Sequence, residues 1–404
     1  MMAIFRSTWW RSSMYAFALW MNIFVFLYIS SFPVGYTLFH DPASIFLPFY
    51  RYLALFTAEH VFGISESGHL LTGFESDSTL LYVHLFNLLI IAQLIAILFH
   101  FLLRRKISIL KKWVFQIGTY YLSLQLLMYG LNKVFKWQFF LPEPNTMYTL
   151  VGDLDPDLLY WTTVGASYEY SLFSGLMEVI PALLLLFRRT QLLGLIIAFG
   201  VLIHVYAINI SFDISVKVHA GFLLLLCGFL LLSYRSVLAV LWGRGQETLP
   251  DEQLFSNLMN KPRYFLLKFL LIATLIAEST APYLLSGNYN DDLSKRPIYH
   301  GAYQLEPFGE HMVQPWKRLY FHRRHYLIVE NERGEKTDFP YRLNEQADTI
   351  EFKTDYGYKS YRIQMISPIE LEMEDVQSKL KISMKRLPYR EMSLLRQAFH
   401  WSID

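Results

Sequence analysis

Cysteine is almost absent. Cys227 is the only one in 404 residues, inside the apolar run 221–232. The chain therefore has no intramolecular disulfide, no Cys-x-x-Cys pair and no thiolate metal site, which excludes thiol redox chemistry by its own residues. Charge is scarce too. Only 17% of the residues are Asp, Glu, Lys or Arg against 53% hydrophobic, below the roughly 25% charged fraction of soluble domains. The formal net charge of +2 gives no global field, so no nucleic-acid partner is expected and the basic residues matter through their placement. There is no internal repeat and no low-complexity segment. After Arg6 and Arg11, residues 30–36 show no small-x-small cleavage pattern, so the first apolar stretch is expected to remain as an uncleaved span.

Long apolar runs are what the sequence has instead. A membrane-spanning helix needs roughly 20 mostly apolar residues, and seven stretches come close: 14–34, 80–103, 113–135, 170–187, 191–211, 215–234 and 264–285. The expected fold class is thus a mainly α membrane protein of about seven transmembrane helices over residues 1–285. Segment 45–63, interrupted by Arg51, Glu59 and His60, is better read as an interfacial helix. Basic residues are retained on the cytoplasmic side. Here they fall in alternate loops: Arg6 and Arg11; Arg104, Arg105, Lys106, Lys111 and Lys112; Arg188 and Arg189; Arg235, Arg244, Lys261 and Arg263. The opposite loops, 35–79 and 136–169, are acidic or nearly neutral. This predicts a cytoplasmic N-terminus in a bacterial inner membrane, with the C-terminal part periplasmic.

From about residue 286 the composition turns polar, with alternating runs at 326–330, 349–353 and 361–365 separated by turn signals at Arg333-Gly334 and Asp355-Tyr356-Gly357. The alternation predicts antiparallel strands of a small sheet or sandwich, a β-rich domain over 286–404. The final Phe399-His400-Trp401 suits a segment packed on the membrane domain or the bilayer surface, or one that completes the β-domain core.

Ionisable side chains inside spans are costly and face the bundle interior, so each is a candidate site residue. At about 1.5 Å per helical residue, Lys133 lies about 3 Å, His84 and His219 about 6 Å, His204 and Glu278 about 10 Å and Glu178 about 12 Å below the outer ends of their spans. All six fall in the outer half. Such a layer suits a polar pocket where a lipophilic molecule enters sideways and its head group meets Lys, His and Glu. Lys133, Glu178 and His204 are expected to converge as the reactive set, with His84, His219 and Glu278 as binding residues. The plain alternatives are a snorkelling Lys133 and core histidines at 204 and 219 that only bond between helices. Metal binding by three histidines on three helices lacks a spacing motif, so no metal is assigned. His322 and His325, flanking Arg323 and Arg324, are expected on a solvated surface.

The stretch Tyr129-Gly130-Leu131-Asn132-Lys133-Val134, followed by Gly175-Leu176-Met177-Glu178-Val179-Ile180-Pro181 and a leucine run, resembles the DoxX family of bacterial membrane proteins, which carry Gly-x-x-Lys after one helix and Gly-x-x-Glu opening a leucine-rich one. The resemblance covers about residues 113–234. The same region is similar to the transmembrane domain of vitamin K-dependent carboxylase-like proteins, which implies Lys133 as a base toward a reduced quinone and His204 as the intramembrane histidine. Tyr129 stands where those proteins have a small residue, and Val134 where they have leucine. The tail 394–404 and the segment 316–320 resemble the C-terminal extension of longer DoxX-like proteins.

The function these readings imply is the binding of a quinone-like or other lipophilic molecule in the outer leaflet. The cofactor would be a quinone if there is one, and membrane or periplasmic protein partners would supply the redox centre. A carboxylase-like enzyme and an envelope-assembly scaffold without catalysis are the alternatives.

Overall fold

The computed structural model describes residues 2–32, 37–38, 42–64, 74, 76–102, 107–241, 262–306, 316–344, 348–354 and 357–396. The terminal Phe399-His400-Trp401 lies outside them. The chain divides into two compact units, one of residues 1–135 and 172–289, the other of 136–171 and 290–404.

The first unit is helical. Its long helices are α1 (Met2–Ser31), α2 (Pro42–His60), α3 (Thr79–Leu102), α4 (Ile107–Val134), α7 (Tyr168–Leu185), which begins in the second unit, α8 (Gln191–Ser211), α9 (Lys217–Leu232) and α11 (Pro262–Ser286); α10 (Arg235–Leu241) is short. Within the described residues, each of the seven apolar stretches is thus helical over most of its length. Among the described residues three helical stretches are long and apolar enough to cross a membrane, Thr79–Phe99, Gln191–Ser211 and Phe265–Leu293, with shorter apolar helices at Ala16–Ser31 and Lys217–Leu232. The count of seven is not met on that measure, and the reason is local. Helix α7 has 18 residues and includes Glu169 and Glu178, α9 has 16, and α4 opens with Lys111 and Lys112. Helix α4 runs through the middle of the unit and packs on α1, α9 and α11. It is buried from Tyr121 to Leu127, so its polar Ser123 and Gln125 must find protein partners.

The second unit is built on a closed antiparallel barrel of eight strands in sequence order: β1 (Gly301–Leu305), β2 (Trp316–Phe321), β3 (Tyr326–Asn331), β4 (Lys336–Asn344), β5 (Thr349–Thr354), β6 (Gly357–Ser367), β7 (Glu370–Asp375) and β8 (Lys381–Leu387). Alternate side chains fill the inside, among them Leu327 and Val329, Ile350 and Phe352, Tyr361 and Ile363, and Leu371 and Met373, the period-two pattern of a half-buried strand. The expected small sheet or sandwich is corrected to a barrel because β1 pairs with β8 as well as β2: Ala302 faces Tyr320 on one side and Leu387 on the other. Closure removes both sheet edges. The β3–β4 turn uses Gly334 at φ +83°, a left-handed conformation that glycine adopts without strain. The short helices α5 (Pro144–Met147) and α6 (Pro156–Gly165) belong to this unit.

Candidate functional site

Two glycines decide the centre of the helical unit. A methyl group added at Gly130 on α4 would meet the Val179 side chain at 2.7 Å and the Gly175 carbonyl oxygen at 2.9 Å; one added at Gly175 on α7 would meet the Gly130 oxygen at 2.6 Å. The helices therefore touch backbone to backbone. A residue three positions on lies on the same helix face, so Lys133 and Glu178, each three after its glycine, are brought together. They form a hydrogen-bonded ion pair with side chains only 6% and 4% exposed. The second carboxylate oxygen, Glu178 Oε2, is buried and has no hydrogen-bond partner. Tyr129, one turn before Lys133, is within Coulombic reach of Glu178, and its ring centre lies 6.1 Å from that of His219. Further along the contact, Ser123 Oγ donates to the Ala182 carbonyl at 2.8 Å.

The other sequence-derived residues separate from this pair. His219 on α9 is 3.3 Å from both the Tyr28 hydroxyl and Gln125 Oε1, and it stacks on Phe32 at 4.2 Å. Its hydrogen bonds require Nε2 to carry the proton for Gln125 and Nδ1 to accept from Tyr28, a tautomer assigned from the network. His84 on α3 is 3.0 Å from Ser31 Oγ, whose own proton goes to the Tyr28 carbonyl. Its Nε2 is then the donor, and the buried Nδ1 lone pair beside Phe74 and Tyr50 has no partner. The Glu278 carboxylate on α11 accepts from the backbone N–H groups of Thr37 and Leu38. His204 is exposed on α8, so the expected convergence of Lys133, Glu178 and His204 is corrected to the pair alone. The physical reason is helix phase: Leu202 and Asn209 on α8 are buried, and His204 points away from that face.

Sequence reasoning missed a second polar cluster, within the barrel unit. Glu143, just before α5, is 5% exposed and accepts from His300 Nε2 at 2.9 Å and from Arg323; His322 Nε2 is 3.7 Å away. Arg323 also pairs with Asp291 and lies over the Phe140 ring, 4.0 Å from its centre. Burial works to raise the Glu143 carboxyl, yet the His300 hydrogen bond and the Arg323 charge outweigh it and hold it down to about 2. Burial pushes His322 below its ordinary value, against the pull of Glu143. The expectation of a solvated His322 is thus corrected, since its side chain is 19% exposed. A second buried carboxylate, Glu330 on β3, pairs with Arg318 at 3.0 Å and accepts from the Tyr320 hydroxyl, which burial and this carboxylate push upward. The only sequence signal was the run 321–325, where charge and histidine interrupt a strand pattern. Among the described residues no three His, Cys, Asp or Glu side chains stand together as a metal ion needs.

Comparison with known proteins gives one informative match: 120 residues, 28% of this chain and 70% of the relative, are 32% identical to YwoB, an uncharacterized protein of Bacillus subtilis (strain 168). The chain belongs to the YwoB family. No family model and no solved structure matches. Membership of the YwoB family brings no activity with it, so chemistry has to be argued from the residues. In this member the Lys133–Glu178 pair has one hydrogen-bonded carboxylate oxygen and one without a partner in a buried setting, whereas both Glu143 oxygens are hydrogen-bonded. The first leaves a buried acceptor that the chain itself does not fill; the second joins 136–171 to the barrel.

Proposed function

We propose that this chain is an inner-membrane, DoxX-like protein of about seven transmembrane helices that binds a quinone-like or other lipophilic molecule beside Lys133 and Glu178, as a subunit of a membrane redox system. The observation that carries the reading is the partnerless Glu178 Oε2 in a buried ion pair. A buried polar atom left unsatisfied costs roughly 1–3 kcal/mol, and a ligand hydroxyl would relieve it while the Lys133 ammonium donates to a ligand oxygen. The alternation of basic loops supports a cytoplasmic N-terminus and a periplasmic barrel unit. A bound quinone would supply two-electron chemistry; this chain's residues would bind its head group and exclude water.

The test is thermal unfolding of the detergent-purified chain with a short-chain naphthoquinone in oxidised and reduced form. A ligand at about 100 times its Kd stabilises by roughly 2.7 kcal/mol, so a rise in Tm is expected for the wild type and not for Glu178→Gln. No rise at saturation, or the same rise in the variant, would remove this reading. A carboxylase-like reaction is the weaker alternative, because a lysine held as an ion pair offers no lone pair to accept a proton. The scaffold reading draws support from His219 and Glu278, whose polar atoms are taken up by the chain itself.

A further inference from the structure

Helix α2 crosses α3 steeply. Among its contacts with α3 are the Tyr50–His84 rings at 5.1 Å, the Asn87 side-chain amide donating to the Leu53 carbonyl at 3.3 Å, and Phe62, just past its end, against Phe86 at 5.2 Å. At about 1.5 Å per residue, α2 from Tyr50 to its end at His60 covers roughly 15 Å, while the α3 partners from His84 to Asn87 cover only about 5 Å. Since α3 is long and apolar enough to span a bilayer, a helix lying across it runs along the membrane plane. Its level follows from the same count, about 8–12 Å from the α3 start at Thr79.

The side chains agree with that placement. Tyr50, Ala54, Thr57 and Ala58 are buried against the bundle. On the other side Ile45, Phe49, Tyr52 and Phe56 recur at spacings of four, three and four and are 75%, 59%, 69% and 46% exposed, an apolar stripe on one helix face. Of the exposed charged or histidine residues, Arg51 lies roughly 120° around the helix from the stripe, and Glu59 and His60 come at the C-terminal end. The stripe is continuous with the outer surface of α3, because Phe62 and Phe86 touch and both are exposed.

We propose that α2 is an in-plane helix whose stripe of Ile45, Phe49, Tyr52 and Phe56 inserts into the head-group and acyl-chain boundary of one bilayer leaflet. The occupant is lipid, and two observations carry it: the stripe continues the apolar surface of α3, a helix long and apolar enough to span, and the level of about 8–12 Å overlaps the roughly 5–10 Å at which in-plane amphipathic helices sit. The inference rests on α3 being a span and is independent of any ligand at Lys133.

Cys227 is the sole cysteine, so a Cys227→Ala background allows single labels at Ile45→Cys, Phe49→Cys, Tyr52→Cys and Phe56→Cys, with Tyr82→Cys and Leu94→Cys on α3 as depth markers. The full chain would be reconstituted in phosphatidylcholine vesicles brominated at a shallow or a deep acyl position, and quenching of an environment-sensitive fluorophore measured. The four α2 labels should be quenched about equally and more by the shallow bromines, while the α3 pair, about 18 Å apart along the helix, should differ in depth. A gradient along α2 like that on α3 would overturn the proposal in favour of a span; absent quenching on α2 would overturn it in favour of a protein or a second copy on the stripe. Ungraded α3 labels would instead remove α3 as a span, an outcome read independently of the α2 labels.

Discussion

Replacing Glu143 by Gln should cost the barrel unit its pH dependence in a defined window. In the folded chain the carboxyl is held down to about 2 from an ordinary 4.5, with burial opposing and His300 and Arg323 prevailing. At roughly 1.4 kcal/mol per pH unit, that difference corresponds to about 3–4 kcal/mol, and at 5% exposure solvent screening removes little of it. The folded state binds the proton less readily than the unfolded state, so the contribution is fully present above about 4.5 and is lost as pH falls toward 2. His322 acts in the same direction at higher pH: burial disfavours its charged form, so the unfolded state takes up the proton first as pH drops below 6.5. The groups facing Glu143 are His300, His322 and Arg323, with Asp291 behind Arg323. Near-UV circular dichroism of the full chain in detergent, melted from pH 7 to pH 2.5, reads the packing of the barrel aromatics. Wild type should lose stability steeply below pH 4.5, and Glu143→Gln should be weaker at pH 7, keep the His322 dependence below 6.5 and show a shallower loss than wild type between pH 4.5 and 2.5. Parallel profiles for the two proteins would refute the account of Glu143 as a charged anchor.

Lys133→Met and Glu178→Leu should each destabilise the helical unit by about 3–5 kcal/mol, because each leaves an uncompensated buried charge, while the double variant should recover most of that loss; additive losses in a double-mutant cycle of unfolding free energies would contradict direct pairing. Tyr341 has a buried hydroxyl without a partner inside the barrel, so Tyr341→Phe should be neutral or stabilising in the same melting assay. A loss above about 1 kcal/mol would mean that the hydroxyl is satisfied.

Much of the helical unit was legible because long apolar runs announce helices by composition: within the described residues the seven apolar stretches are largely helical, and Gly-x-x-Lys with Gly-x-x-Glu located the buried Lys133–Glu178 pair. The strands at 326–330, 349–353 and 361–365 were legible for a similar reason, as side chains alternating across a strand leave a period of two. What the alternation could not carry is the pairing of β1 with β8 across some 80 residues of chain, which turns a sheet into a barrel.

The sequence by itself determined where helices and strands form, since periodicity and apolar length are local properties of neighbouring residues. It also determined that Lys133 and Glu178 each stand one turn beyond a glycine. Only the tertiary structure decided which ionisable residues meet. His204 turns outward by helix phase, His219 is taken up by Tyr28 and Gln125, and Glu143 finds Arg323 180 residues away. Those outcomes depend on how separate elements rotate and pack against one another, and a side chain's partner in a folded core is set by that packing.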